Sequence, residues 1–194
     1  PASATEVEAR VIHDMHIPDG FLAPQVALGL WVAMLVALGV ALRRIGTAPR
    51  GTNRPALMGI AGAFIFAAQM FNFPVAAGTS GHLLGGVLAA VLLGPWTGTV
   101  VMTTVIGIQA LLFQDGGLLA LGANVVNMGL LGTLVGGGVA KGLSVAFGGG
   151  ARATIVGAGV AGWLTVVASA GVAALELGLS GTTDIAIGLP AMLG

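Results

Sequence analysis

Runs of apolar residues, broken by short polar or Gly/Pro-rich stretches, organise this chain. Across about 22–42 almost every position is apolar or small, and the run stops at Arg43-Arg44. That is close to the ~20 residues a helix needs to cross a bilayer. A second run, about 55–73, stops at Asn72-Phe73-Pro74; proline removes a backbone donor and disfavours helix in the residue before it. Residues 75–81 are small and flexible in composition and lead directly into His82. The third run, 82–93, has only twelve residues before Gly94-Pro95-Trp96. At ~1.5 Å rise per residue it is too short for a hydrocarbon core of ~30 Å. The preceding loop is therefore expected to dip inward and carry His82 below the membrane surface, a course tolerated only where backbone is buried in protein or lines a cavity. Further runs cover 97–113, 118–140 and 153–175, and 185–194 reads as the start of a span that is not finished. The pattern predicts an all-α integral membrane protein: a polytopic helical bundle of about six spans plus an incomplete seventh, with an inward-dipping loop before His82.

Composition agrees. The 194 residues are 56% hydrophobic and 7% charged, with a mean hydropathy of +1.02, where a soluble domain carries roughly 25% charged residues. Thirty-four glycines would weaken soluble helices, but small residues let membrane helices approach closely. Gly81-xxx-Gly85 and Gly132-xxx-Gly136 have that spacing, which also arises by accident in so glycine-rich a chain. There is no Cys, which excludes disulfides, thiolate zinc sites and cysteine nucleophiles. The net charge of zero gives no electrostatic case for nucleic acid; the partner that composition does imply is the lipid bilayer.

The few charges are placed unevenly. Arg43, Arg44, Arg50, Arg54, Lys141 and Arg152 fall in two loops, 43–54 and the Gly-rich 141–152, separated by four crossings and hence on one side. By the positive-inside rule those loops are cytoplasmic. Asp115, Glu176, Asp184, His82 and the segment Met15-His-Ile-Pro-Asp-Gly20 then face outside. Residues 1–14 are polar and lack the apolar core of a signal peptide.

Candidate chemistry centres on two of the three histidines, His16 and His82. Imidazole suits Zn, Cu, Fe and Ni, and without thiols a site must be built from nitrogen and oxygen. Ionisable groups at membrane depth mark function by default, although a lone His at a helix start is also an ordinary surface or hydrogen-bonding residue. His13 and Asp14, beside His16, are substitute ligands or simply a solvated tail. Asp19, within Pro18-Asp19-Gly20, reads first as a turn residue whose side chain bonds the backbone, and Asp115-Gly116-Gly117 reads first as a tight external turn. The amides Gln69, Gln109, Asn124 and Asn127 lie within apolar runs, where they bridge helices or orient a liganding imidazole; Gln69, Asn124 and Asn127 are the candidates for the latter.

Met15-His-Ile-Pro-Asp-Gly-Phe-Leu22, Gly78-Thr-Ser-Gly-His-Leu-Leu-Gly-Gly86 and Leu93-Gly-Pro-Trp96 resemble the CbiM/NikM family, as do Gln109-Ala-Leu-Leu-Phe113, Asp115-Gly-Gly117 and Ala123-Asn-Val-Val-Asn-Met128. These are the substrate-capture components of energy-coupling-factor transporters for cobalt and nickel, and the resemblance runs in the same order over 15–194. It implies that the metal is held by the free amine of Met15, the backbone nitrogen and imidazole of His16, and His82. Amine, deprotonated amide and imidazole form fused chelate rings that favour a planar four-nitrogen site, as expected of Ni(II) or Cu(II); the ligands must lose protons, so affinity falls with acidity. The resemblance also implies a transmembrane coupling protein, ATPase subunits and a small accessory membrane protein as partners, with Co2+ or Ni2+ as transported substrate and no organic cofactor. The chain has no GxxxxGK[ST] loop, so ATP work falls to a partner and the chain itself is not an enzyme.

Two departures qualify the resemblance. Fourteen residues precede Met15, so as written its nitrogen is an amide. The expectation is that Met15 is the true start and 1–14 an extension from a mis-set start; processing between Asp14 and Met15, or substitution by His13 or Asp14, are the other routes. The family also continues past Pro190-Ala-Met-Leu-Gly194 into a final helix, so 15–194 is expected to be a C-terminally truncated capture domain. Two other functions share the same residues. A membrane metal sensor or scaffold would use the site without transport. An intramembrane metalloenzyme would need a general base beside an open coordination position, and no HExxH is present.

Overall fold

The computed structural model describes residues 16–47, 54–71, 73–74 and 80–186. Helix α1, Pro24–Gly46, has Pro in its first turn, where the fixed φ suits a helix start, and Arg43 and Arg44 in its last. Helix α2 is Arg54–Gln69. A two-residue antiparallel ladder, β1 Phe73–Pro74 with β2 Ser80–Gly81, pairs Phe73 with Gly81 and Pro74 with Ser80. Helix α3 is Gly86–Leu93 and α4 is Pro95–Ile108, which runs on as a π-helical segment, Gln109–Phe113. Helix α5 is one rod, Leu121–Ala146, whose middle, Val125–Gly136, is π-helical. Helix α6 is Gly150–Leu179.

The fold is helical and built to sit in a membrane. Helices α1, α4 with its π extension, α5 and α6 are each long and apolar enough to cross one; α2 offers the shorter Pro55–Gln69. All six predicted apolar runs carry helix among the described residues, and four of these helices are long and apolar enough to cross. The beginning of the unfinished seventh run extends past the described residues, as do 75–79, the loop expected to dip before His82. The third run does not become helical at His82. Gln69 holds the carbonyl of Leu84 at 2.8 Å and Gly85 turns the chain at φ +82°, so helix starts only at Gly86. The loop expected over 141–152 is shorter too: Lys141 lies in α5 and Arg152 in α6. Glu176, expected outside after the last span, lies within α6 and is 5% exposed.

Close backbone approach holds the bundle's centre. A Cβ on Gly86 would lie 2.8 Å from the Cα of Gly132 and 2.6 Å from the Met128 carbonyl oxygen, so α3 rests directly on α5, as small residues allow in membranes. Gly132 stands eight residues beyond Asn124 on α5, roughly 12 Å along the rod at helical rise. Helix α3 therefore begins deep in the bundle, and residues 82–85 form the connector down to it. Around this contact Met34, Ile65, Ala89, Met102, Ile106, Val125 and Met128 pack as the core, and Thr99 and Thr133 hydroxyls join α4 to α5 at 2.8 Å. At the end where α1 finishes, the Arg44 guanidinium lies 5.6 Å from the Trp96 ring centre. The histidines lie at the other end.

Candidate metal site

The segment 16–20 has no regular structure of its own and is held from outside. Asn124, in the first turn of α5, makes a reciprocal pair with Ile17: its Oδ1 accepts the Ile17 N–H at 2.8 Å and its amide donates to the Ile17 carbonyl at 3.0 Å. Gly117 N–H donates to the same carbonyl at 3.0 Å. Asp19 accepts from the N–H groups of Leu118, Leu119 and Ala120 at 3.1, 2.7 and 3.2 Å. It thus satisfies orphan donors leading into α5 as an N-cap does, but from a distant part of the chain. The turn expected at Asp19-Gly20 is present, with Gly20 at φ +92°, but the Asp19 side chain bonds the distant 118–120 backbone rather than its own turn. Gly116 and Gly117 make room for it: at Gly116 (φ +87°) a Cβ would meet Asn124 and the His16 Cβ, both at 2.9 Å, and at Gly117 it would overlap the Asp19 carboxylate.

His16 is 1% exposed, and its Nδ1 lies 2.8 Å from Asp115 Oδ1. His82 Nδ1 lies 2.9 Å from the Leu83 carbonyl, which as an acceptor requires the proton on Nδ1 and leaves Nε2 as the lone-pair nitrogen. The two rings stack with centres 5.5 Å apart and planes 25° apart. Metal–imidazole bonds are about 2.0–2.1 Å, so rings this close are within reach of one ion. The Nε2 atoms of both are buried and have no hydrogen-bond partner among the described residues. Buried polar nitrogens are rarely left so.

Electrostatics favours a neutral His82. Burial lowers its pKa from the ordinary 6.5; the bond to Leu83 opposes this, and the charge of His16 adds to it. Burial alone would raise the Asp115 pKa, but the hydrogen bond from His16 and the charges of both histidines outweigh it and hold the carboxyl below its ordinary 3.8. Asp115 is thus an anion bonded to an imidazole, the pairing that fixes tautomer and ring orientation at metal centres.

Among the described residues no three His, Cys, Asp or Glu side chains gather as a ready metal site.

Over residues 16–194 the chain matches the family model CbiM, cobalt uptake substrate-specific transmembrane region. The chain belongs to this family. It is 40% identical over 121 residues to the fused nickel transport protein NikMN of Rhodobacter capsulatus, covering 62% of this chain and 35% of that one. It is 39% identical over 127 residues to the cobalt transport protein CbiM of Anoxybacillus flavithermus, covering 64% and 50%. The crystal structure of a truncated transition metal transporter superposes with a TM-score of 0.81 at 35% identity, over 92% of this chain and 87% of that one. The chain spans between 35% and 57% of the length of such curated relatives.

Of the residues singled out from sequence, His16 and His82 come together, Asn124 holds the backbone beside His16, and Gln69 holds the backbone beside His82. Asn127 touches neither histidine: it donates to Glu176 Oε2 at 2.8 Å, while the Ser169 hydroxyl donates to its carbonyl at 2.6 Å. Met15, His13 and Asp14 lie outside the described residues. Asp115 escaped notice as the partner of His16 because Asp-Gly-Gly is also a turn signature. The signal that would have found it is general: a liganding imidazole needs a carboxylate or carbonyl behind it, and few acids are available in this chain.

Proposed function

We propose that this chain is the substrate-specific membrane component of an ATP-driven energy-coupling-factor importer and that it captures Co2+ or Ni2+ at the outer face. The observation that carries the reading is the stacked His16–His82 pair with the lone-pair Nε2 of His82 buried and unpartnered, in a family described by cobalt uptake. The ion is held by four nitrogens: the Met15 amine, the His16 backbone nitrogen, a His16 ring nitrogen, and His82 Nε2. Nδ1 is the ring nitrogen that closes a six-membered chelate with the backbone nitrogen of its own residue. It now faces Asp115, so capture exchanges that hydrogen bond for the ion and leaves the carboxylate as a nearby negative charge.

The outer face follows from the charge pattern. Arg43, Arg44, Lys141 and Arg152 sit at or near the helix ends remote from the histidines, and basic ends stay cytoplasmic. A transmembrane coupling protein, ATPase subunits and a small accessory membrane protein complete the importer, and hydrolysis occurs on the ATPases.

Calorimetric titration of Ni(II) and Co(II) into purified protein tests the site. Binding that disappears in His16→Ala and His82→Ala is the expected result, and unchanged binding in both would overturn it. The amine ligand is tested by comparing a form that begins at Pro1 with one that begins at Met15; the tighter form should be the second. Cellular uptake with the partner subunits present, lost on His16→Ala, separates a transporter from a sensor that uses the same site.

A further inference from the structure

We infer that Gln69 and Gln109 are positioning residues that lock the two histidine-bearing segments to one another and so set the imidazole spacing on which metal choice depends. This rests on the capture reading above. His16 and His82 come from segments 66 positions apart, and neither segment is helical. A chain of hydrogen bonds joins them. The Asp115 loop is tied to the His16 segment twice, by His16 Nδ1 to Asp115 at 2.8 Å and by the Gly117 N–H to the Ile17 carbonyl at 3.0 Å. The second link remains when the ion takes Nδ1. The Asp115 N–H donates to the Gln109 carbonyl at 3.1 Å. The Gln109 side-chain amide donates to Gln69 Oε1 at 3.0 Å, and the Gln69 amide donates to the Leu84 carbonyl at 2.8 Å. His82 Nδ1 then holds the adjacent Leu83 carbonyl at 2.9 Å. With the ring stacking between the histidines, the circuit is closed.

The backbone is shaped for this. Gln109 opens the π-helical segment at the end of α4, a distortion that recurs at functional sites. In an unbroken α-helix its carbonyl would accept from residue 113. Here the chain leaves through Gln114 at φ 55°, and that carbonyl receives both Gln114 N–H and Asp115 N–H. One residue thus fixes the carboxylate behind His16 with its backbone and reaches toward the His82 connector with its side chain. Both glutamines are 0% exposed. Amides so deep in a bundle, where unpaired polar groups are costly, make a stiff link rather than an exchangeable one. A link that merely bridged helices would not need to end on the Leu84 carbonyl of the His82 connector at one side and on the Asp115 N–H behind His16 at the other.

The test uses the form beginning at Met15 in detergent and three variants close in shape but unable to pass on the hydrogen bond: Gln69→Met, Gln109→Met and the double variant. Ni(II) and Co(II) are titrated separately, and the visible absorption of the bound metal is recorded. If the relay acts as a unit, each single variant weakens Ni(II) binding by about tenfold, the range found for groups behind the ligands. The double variant then weakens it no further, because coupled sites are non-additive. The metal absorption band shifts and the Ni(II)/Co(II) preference narrows. Purely structural glutamines would lower the melting temperature additively and leave spectrum and preference at their wild-type values in the folded fraction, which overturns the inference. Loss of binding in His16→Ala and His82→Ala beside unaltered glutamine variants would overturn the relay and leave capture standing. Binding that survives in both histidine variants would overturn capture and the relay together. If a Met variant fails to fold, Gln69→Glu, which can still accept from Gln109 but as an anion cannot donate to Leu84, gives the same reading from one broken link.

Discussion

The two histidine arms are held by different means. The His16 arm is irregular backbone pinned by side chains: Asn124 and Asp19 together make five hydrogen bonds with it or from it to the 118–120 loop, and Asp115 seizes the ring. The His82 arm has one side-chain anchor, Gln69 on Leu84, and otherwise depends on packing, with Gly85 against Ile65 and Gly86 against Gly132. Its imidazole is set by its own neighbour's carbonyl. A polar arm fails when a bond is removed, and a packed arm fails when a gap is filled.

The sharpest way to break the packed arm is Gly86→Val. Its side chain would have to enter the Met128 carbonyl and the Gly132 Cα, neither of which can move aside. The expected destabilisation is about 4 kcal/mol or more, the range of outright packing failure, read as a collapse of the melting temperature in detergent; a melting temperature within a few degrees of wild type would refute the close contact. The counterpart on the polar arm is Asn124→Leu, which strands the Ile17 N–H and deprives its carbonyl of one of two donors. The expected cost is about 3 kcal/mol, since each buried group left unpaired costs about 1–3 kcal/mol, and Ni(II) affinity should fall with it.

Asp115→Asn sharpens the comparison without breaking the fold. It removes the charge behind His16 and leaves His82 on its backbone acceptor. Ni(II) affinity should weaken about 10–100-fold with little change in melting temperature. Tighter binding would mean that the hydrogen bond given up at Nδ1 outweighs the negative charge left beside the ion.

Acidification separates the arms by pH. The folded-state pKa of His82 is lowered from 6.5, first by burial, so its contribution is complete above that value and is lost as pH falls below it. Asp115 is likewise lowered, from 3.8, and its contribution persists until pH falls through its folded-state value. Thermal stability should therefore decline on acidification first below about pH 6.5 and again below pH 3.8. His82→Gln should remove the first decline and keep the second. The smallest effect expected is that of Trp31→Phe, which loses the indole bond to the Leu119 carbonyl at 3.0 Å. That half-exposed bond ties α1 to the loop beneath the polar arm, and about 1 kcal/mol is at stake.

Periodicity and composition were enough to read a helical membrane bundle and the positions of its apolar segments; they left His16 and His82 as candidates, which the family resemblance joined in one site. Those properties follow from local pattern: a run of ~20 apolar residues has few alternatives in a bilayer, and three histidines in 194 residues leave little choice. Glu176 shows where local pattern stops. As a carboxylate near the end of an apolar run it reads as external, yet it is buried against Asn127, because α6 continues through it and α5 supplies a donor from 49 positions away. Asp19 and Asp115 follow the same rule: both read as turn residues, and both are used across the fold, one on the entry to α5 and one on His16. The sequence alone determined where the chain is apolar and which residue types can hold a metal. Only the tertiary structure decided which polar group answers which, because in a low-dielectric interior each must find a partner, and the partner is chosen by distance in space rather than along the chain.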